Sequence, residues 1–472
     1  MTQSPIFHTL LYGISIALMR GVSLFMLPFI AHYLSPAEFG RVEVLSSLTV
    51  IASVLVGLGL EDSLYRFAGA QKSPRKRMYI AAQIFTLAGV ITLICLVLLT
   101  VLVPFLQPLI PGDIPQYAIW FALLIISFES MISVPLGWLR MRDQAVKFFI
   151  ATTGRVLLQA GLTVLFLQYD PSVISIFAAG LIATILQLVV LCIWQLNMHR
   201  LVLTQRFTRK VLTYSWPILI SGLLGFVLMG LDRWFIVNMS SLEAVAIYGV
   251  GAKLAIGVVL LLQPYTMWWA PKRFMILTEK GPYETAKYIS IGLLWCMVAC
   301  FMVVTGAQWL IEFIMPAQYH HAVPILWVLA LAMFFKETAE LINIGCFLGE
   351  KSYTQMHINI LGAGIGLIGF VSLIPLYGAM GAGLALCLAQ FAKCLAFYYF
   401  SQRISPLPYS WVNLSIIFVA LSIAAILIVF TYPPTLQLLW GVCISILVTT
   451  FTLNRFFPHL KHDVLRLCHV VS

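Results

Sequence analysis

Long apolar runs alternate with short polar loops along the whole of this chain. Residues 79–104, for example, contain no charged side chain, and about 20 consecutive apolar residues are enough to cross the hydrocarbon of a bilayer as a helix. The first run is too long for the apolar core of a signal peptide, so we expect it to be retained as a helix. The fourteen predicted spans are 7–34, 41–65, 79–104, 117–139, 146–168, 173–197, 212–238, 243–270, 288–312, 323–348, 357–375, 379–402, 411–432 and 436–453.

The composition supports the same interpretation. Of the 472 residues, 61% are hydrophobic and 10% are charged, whereas charged residues make up about 25% of a soluble domain. The nine cysteines form no CxxC pair, so neither a disulfide framework nor a zinc site is expected. The predicted fold class is all-α, a polytopic membrane protein with fourteen transmembrane helices.

Lysine and arginine residues cluster in alternate loops. Loops 66–78, 140–147, 198–211 and 271–287 are all basic, whereas the loops on the opposite side of the predicted topology hold only Arg41. Because basic loops stay in the cytoplasm, both termini are expected to be cytoplasmic. The net charge of +11 is then explained by contact with anionic lipid headgroups, and no nucleic-acid partner is expected.

A faint internal repeat divides the predicted helices into two halves. The segment LSPAEF at 34–39 follows the first span, and MSSLEA at 239–244 follows the seventh. Six spans in each half make the repeat parallel, with a pseudo-two-fold axis along the membrane normal. We therefore expect one six-helix lobe at 1–205, a second at 206–405, and two additional helices with a cytoplasmic tail at 406–472.

Six basic residues fall inside the predicted spans, where each costs about 3 kcal/mol at a helix centre unless it is hydrated or paired. Arg20 and Lys253 lie deep in their spans, so a basic central cavity for an anionic substrate is the functional hypothesis for them. The alternative is that the charges form structural ion pairs between helices. The six residues are Arg20, Arg155, Arg233, Lys253, Lys336 and Lys393.

Away from the helix ends, the spans contain fewer acidic than basic residues. Glu337 and Glu340 lie one turn apart, and two close carboxylates in a low dielectric favour sharing a proton, so both are candidates for carrying a coupling ion. Glu129 is a third candidate. Structural alternatives exist here too, because Lys336 could pair with Glu340 at i, i+4. Asp232 is a candidate for the substrate site; it precedes Arg233 directly, and we expect the two side chains to face different partners.

The sequence contains no motif for nucleotide binding, metal binding or hydrolysis at a position where that motif could function. No catalytic residue, cofactor or metal is therefore expected. Without a nucleotide-binding loop, transport would use a proton or sodium gradient or the gradient of the substrate itself.

Three segments resemble polysaccharide (O-antigen-type) flippases of the multidrug/oligosaccharidyl-lipid/polysaccharide exporter superfamily. They are RGVSLFMLPFIAHYLSPAEFGRVEVLSSL at 20–48, LDRWFIVNMSSLEAVAIYGVGAKL at 231–254, and IPLYGAMGAGLALCLAQ at 374–390. The resemblance extends over roughly residues 7–402. The positions that match the family's motifs are Leu34, Glu38, Phe39, Gly40, Asp232, Tyr248, Lys253, Pro375, Gly378 and Gly381.

This resemblance implies a two-lobed bundle with a V-shaped cavity that works by alternating access. It implies flipping of undecaprenyl-diphosphate-linked oligosaccharide across the bacterial inner membrane for O-antigen-like surface polysaccharide. The expected partners are that lipid-linked oligosaccharide and anionic membrane lipids. A monomer is expected, with a polysaccharide polymerase as a candidate associate. Arg20 and Lys253, from opposite lobes, would then converge on the diphosphate.

Other functions remain open at this point. A peptidoglycan-precursor flippase of the same superfamily would also need a cationic cavity, so it differs from a polysaccharide flippase only in its substrate. A drug or metabolite exporter with cationic substrates should carry more acids than bases in its cavity, whereas basic residues are the more numerous among the deep charged residues predicted here. A membrane glycosyltransferase or polymerase would need a catalytic acid in a sizeable outward loop, and every outward loop here is predicted to be short.

Overall fold

The computed structural model of the chain describes residues 5–69, 71–196, 201–348 and 353–456. These residues form helices and connecting loops, and no strand occurs among them. The two chain termini, whose cytoplasmic location was predicted, lie outside the described residues. The same applies to several predicted loop cations and to two histidines: Arg200, Lys351, Lys461, Arg466, His459 and His462.

Eleven helices make up the first part of the chain. They are α1 (Pro5–Tyr33), α2 (Pro36–Gly57), α3 (Leu60–Gly69), α4 (Pro74–Leu106), α5 (Gln116–Ser127), α6 (Glu129–Met141), α7 (Ala145–Tyr169), α8 (Val173–Leu196), α9 (Gln205–Met229), α10 (Leu231–Met239) and α11 (Leu242–Ala255).

Five more helices follow. They are α12 (Gly257–Ile314), α13 (Ala322–Ile342), α14 (Tyr353–Ile404), α15 (Trp411–Thr431) and α16 (Pro434–Phe456). Two of them contain a break at a glycine in the left-handed region, Gly281 in α12 (φ 80°) and Gly378 in α14 (φ 56°). Residues other than glycine rarely adopt this backbone conformation. The helix α14 therefore contains two consecutive predicted spans, and α12 contains the ninth predicted span together with the second part of the eighth.

Every predicted span coincides with helix, so the all-α polytopic class is confirmed. Nine segments among the described residues are long and apolar enough to cross a membrane, and Ala17–Tyr33 and Pro434–Thr450 are shorter apolar helices. The pattern did not predict the interruptions within spans. The second span is divided between α2 and α3 at Leu58 and Gly59, which both have positive φ, and the seventh is divided between α9 and α10 at Gly230.

The chain folds into two compact units. Unit 1 comprises residues 1–249 and 370–379, and unit 2 comprises residues 250–369 and 380–472. This division does not test the predicted lobes, which were defined by the sequence repeat. The seventh span and the first turns of the eighth belong to unit 1, because α9 and α10 pack against α2 and α9 also packs against α3.

Apolar surfaces hold each unit together. In unit 1, α1 packs along α7, α7 packs along α8, and α5 packs against α4 and α8. In unit 2, α12 packs against α13, α15 and α16. The helix α15 buries Leu414, Leu421 and Ile428, one residue in seven, so it contributes a single narrow stripe to the core of unit 2.

Candidate functional site

A buried group of charged and polar side chains in unit 1 joins α2, α10 and the first turns of α11. The Arg233 Nη1 donates to Asp232 Oδ1 and Oδ2, at 2.8 Å each. The Tyr248 hydroxyl donates to Asp232 Oδ2 at 2.6 Å. The Arg233 Nε lies 3.8 Å from Glu43 Oε2. We call these four residues, from α2, α10 and α11, the acid–arginine cluster.

Local backbone geometry assembles this cluster. The interruption at Gly230 makes α10 a separate helix, so Asp232 and Arg233 lie in its first turn. The long arginine side chain bends back onto its neighbour, and the expectation that the two residues face different partners is therefore wrong. Gly249 leaves room for Glu43, since a Cβ at that position would lie 2.6 Å from the Glu43 Cδ.

The acid–arginine cluster places two carboxylates around one guanidinium in a nearly dry environment. Asp232 is 1% exposed, Glu43 is 3% exposed and Tyr248 is fully buried. The guanidinium also lies against the Tyr248 ring, with its Cζ 5.3 Å from the ring centroid. A buried charge needs a paired and hydrogen-bonded partner, and here the partners come from helices of both sequence halves. The cluster therefore fixes α10 and α11 to α2.

A second pair of predicted residues also lies in unit 1. Glu129, at the start of α6, and Arg155, in the middle of α7, are close enough for their charges to interact. Both side chains are partly buried. The buried Nε of Arg155 forms no hydrogen bond with the described residues. The guanidinium thus keeps donor capacity beyond its interaction with Glu129.

Arg20 and Lys253 occupy different units. Arg20 lies in α1, which packs along α7, and its side chain is exposed. Lys253 lies near the end of α11 in unit 2, and its side chain is partly buried. Both residues make interactions within the protein. Their predicted convergence on one diphosphate stays a prediction.

In unit 2, the acids of α13 have different surroundings. Glu337 is 7% exposed, and its Oε1 lies 3.3 Å from the Nζ of the adjacent Lys336. Glu340 is exposed, and its Oε2 accepts a hydrogen bond from Asn343 Nδ2 at 2.9 Å. Lys336 therefore pairs with its neighbour, rather than with the residue one turn away as the helical spacing had suggested.

A chain of contacts extends from Glu340 across unit 2. The Arg273 Nη1 donates to Asn343 Oδ1 at 3.1 Å, and the Arg273 Cζ lies 4.9 Å from the centroid of the Phe347 ring. Glu340 interacts electrostatically with both Arg273 and Lys393. The exposed carboxylate thus belongs to a basic neighbourhood, while Glu337 is held by a single lysine.

Sequence reasoning missed three residues of these groups. Glu43 was not assigned to a site, and Arg273 was considered only as part of the basic loop 271–287. Asn343 was not singled out at all. Gly249 packs closely on Glu43. The sequence could have indicated a role for Glu43 from this contact only if the packing of α2 against α11 had been known. Among the described residues, no group of three or more histidines, cysteines or acids is placed to hold a metal ion.

Comparison with known families identifies the kind of protein. A family model described as "Polysaccharide biosynthesis protein" matches residues 8–277, which is more than half of the chain. No curated protein sequence matches the chain.

Solved structures share the fold at low sequence identity. The structure of "Lipid II flippase MurJ, inward closed conformation" has a TM-score of 0.74 and is 14% identical, with 94% of this chain and 99% of that chain covered. An inward-facing multidrug resistance MATE family transporter of the MOP superfamily has a TM-score of 0.59 and is 13% identical, with 81% and 94% covered. At these identities the likeness shows a common fold.

Proposed function

The chain belongs to the polysaccharide biosynthesis protein family, and from this premise we propose that it flips undecaprenyl-diphosphate-linked oligosaccharide across the bacterial inner membrane by alternating access. The fold is that of multi-pass membrane transporters. The observation that carries the choice of substrate is the location of the basic residues Arg20, Arg155 and Lys253 inside apolar helices. A diphosphate headgroup needs cations at depth, because the hydrocarbon offers it no water.

Arg20, Arg155 and Lys253 are the cations that we assign to the headgroup. Arg20 and Arg155 lie on two helices that pack along each other in unit 1. An arginine presents several N–H donors in a rigid fork, which suits phosphate oxygens. The exposed side chain of Arg20 and the available donor of Arg155 both support this assignment.

Expression in a bacterium that lacks its own exporter tests the proposal. Restoration of surface polysaccharide by the wild-type chain supports it, and accumulation of the lipid-linked oligosaccharide on the cytoplasmic face contradicts it. The similarity to a lipid II flippase makes flipping of a peptidoglycan precursor the second candidate. Rescue of cells depleted of their own lipid II flippase, without any effect on surface polysaccharide, would favour that second candidate.

The proposed orientation places both termini and loop 66–78 in the cytoplasm. The basic character of that loop supports this placement, since basic loops are retained on the cytoplasmic side. In a cysteine-free background, Ser73→Cys is expected to resist a membrane-impermeant thiol reagent in intact cells, and Gln318→Cys is expected to react. Labelling of Ser73→Cys in intact cells would reverse the orientation.

We propose that transport is coupled to a proton or sodium gradient, and Glu337 is the residue to test first. The Glu337 carboxylate is buried and pairs with Lys336. Replacing it by an amide therefore removes a carboxylate that is shielded from water, whereas the Glu340 side chain is exposed to solvent. We expect Glu337→Gln to reduce gradient-driven transport strongly and Glu340→Gln to reduce it less. Uptake into vesicles with and without an imposed gradient measures both variants.

The wild-type response to the gradient is the control for this comparison. If both glutamine variants keep full gradient-dependent transport, neither carboxylate carries the coupling ion. A variant that loses transport even without a gradient indicates a structural fault, which the amount of folded protein in the membrane reveals.

A further inference from the structure

A cavity of about 960 Å³ opens in unit 1 beside the end of α3 and the first turns of α9. We call it the basic cavity. Its lining residues come from α3 and α9, so helices of both sequence halves contribute to it. They are Arg66, Phe67, Gln205, Arg206, Arg209, Lys210, Thr213 and Tyr214.

The basic cavity has a strong excess of positive charge. Four of its eight lining residues are cations, and none of the eight is acidic. In the part of the chain that the structure describes, no acidic side chain forms an ion pair with any of these four. The N-terminal turn of α9, a helix of 25 residues, adds its partial positive charge on the same side. An anion is therefore the ligand that this charge distribution favours.

Aromatic rings give the cavity a fixed wall. The Phe67 ring packs edge-on against Tyr214, with centroids 5.4 Å apart, and against Phe207, with centroids 5.7 Å apart. The Lys210 Nζ lies 5.1 Å from the centroid of the Phe67 ring. This contact holds the ammonium over the ring.

Hydrogen bonds fix the two helices that flank the cavity. The Thr204 Oγ1, at the N-cap of α9, is 3.1 Å from Gln83 Oε1 in α4. Below the cavity, the hydroxyls of Ser63 and Ser215 are 3.0 Å apart and connect α3 to α9. The start of α9 is thus attached to its neighbours, and its cations are presented from a folded surface.

The surface next to the basic cavity is suited to hydrocarbon. On α9, Arg209, Leu212, Thr213 and Trp216 lie on one helix face, at the spacing of three or four residues that aligns side chains. Leu212 is 41% exposed and Trp216 is 64% exposed. A charged opening is therefore continuous with an apolar strip, which matches a lipid that carries a phosphate better than it matches a free anion.

We propose that the basic cavity is a loading site that binds the phosphate or diphosphate headgroup of a lipid, with the hydrocarbon chain along Leu212 and Trp216. The basic loops that flank it place it on the side proposed to be cytoplasmic, where a lipid-linked sugar would be collected. The identity of the lipid as the transported substrate rests on the proposed function, but binding of a lipid phosphate does not.

Lipid binding by the purified full-length chain tests this site. The protein is placed in nanodiscs of neutral phosphatidylcholine and titrated with undecaprenyl diphosphate in one arm and with inorganic diphosphate in the other. The cavity variant carries Arg206→Gln, Arg209→Gln and Lys210→Gln. The matched control carries Lys72→Gln, Arg75→Gln and Lys76→Gln, which remove three exposed charges from the neighbouring basic loop.

The wild-type chain and the control are expected to bind the lipid diphosphate equally within about twofold, and the cavity variant at least about tenfold more weakly, because anionic headgroups are attracted by each nearby basic residue. Equal weakening in both variants would show that only the general surface charge matters and would overturn the site. Inorganic diphosphate that binds as tightly as the lipid would overturn the assignment to a lipid.

Transport is measured in parallel so that two failures can be told apart. Lipid binding that is lost in the cavity variant supports the loading site even if the wild-type chain exports no polysaccharide, which would contradict only the proposed function. Export by the wild-type chain with unchanged lipid binding in the cavity variant would instead overturn the loading site alone.

Discussion

Replacement of Arg20 by alanine is expected to abolish export of surface polysaccharide, whereas replacement by lysine is expected to leave partial export. Arg20 lies in the membrane-spanning helix α1 with an exposed side chain, where a guanidinium is costly unless water or an anion accompanies it. Lysine keeps the charge but presents a single ammonium instead of a planar fork. Export is measured as surface polysaccharide in cells that lack their own exporter.

The amount of protein in the membrane decides what an inactive variant means. If Arg20 is a substrate ligand, Arg20→Ala should accumulate to the wild-type level and fail to export. If Arg20 instead stabilises the fold, the alanine variant should accumulate poorly, and Arg20→Lys should restore its level. Arg75→Ala, an exposed arginine at the start of α4, is the control that should change neither measurement. Normal export by Arg20→Ala would remove Arg20 from the substrate site.

The spans were predictable because each depends on a local property. A run of apolar residues such as 79–104 predicts a membrane-spanning helix from its own composition and length, and α4 covers that run in the structure. The interruptions were not predictable in the same way. Gly230 ends α9 while many other glycines lie inside continuous helix, so the presence of a glycine does not by itself predict where a helix ends.

Partners of the charged residues depend on tertiary contacts, and the sequence predicted them poorly. Spacing along a helix suggested Lys336 with Glu340, but the structure places Lys336 against Glu337. Adjacent residues were expected to diverge, yet Asp232 and Arg233 form a close pair because a flexible arginine can fold back at a helix start. Glu43 is almost 190 residues away from both along the chain, so no local pattern could have connected them.

The acid–arginine cluster changes the interpretation of two residues that the sequence had assigned to the substrate. The Arg233 guanidinium is committed to Asp232 and lies near Glu43, and its side chain is only 16% exposed. We therefore propose that Asp232 and Arg233 hold α10 against α2 and do not bind the headgroup. A structural pair and a substrate ligand respond differently to substitution, so stability and transport can separate the two roles.

Replacement of Arg233 by methionine is expected to destabilise the protein by about 3–5 kcal/mol, because it leaves the carboxylates of Asp232 and Glu43 buried beside an apolar side chain. The double variant Asp232→Asn/Arg233→Met removes one of these charges and should recover part of the loss, since pairs in contact are not additive. Unfolding of the purified protein in detergent measures both variants. Arg140→Met is the matched control, because Arg140 pairs with Glu61 but is 43% exposed, and exposed pairs contribute about 0–1 kcal/mol. An Arg233→Met protein that is as stable as the wild type but no longer exports polysaccharide would contradict the structural role and support a role for Arg233 in substrate binding.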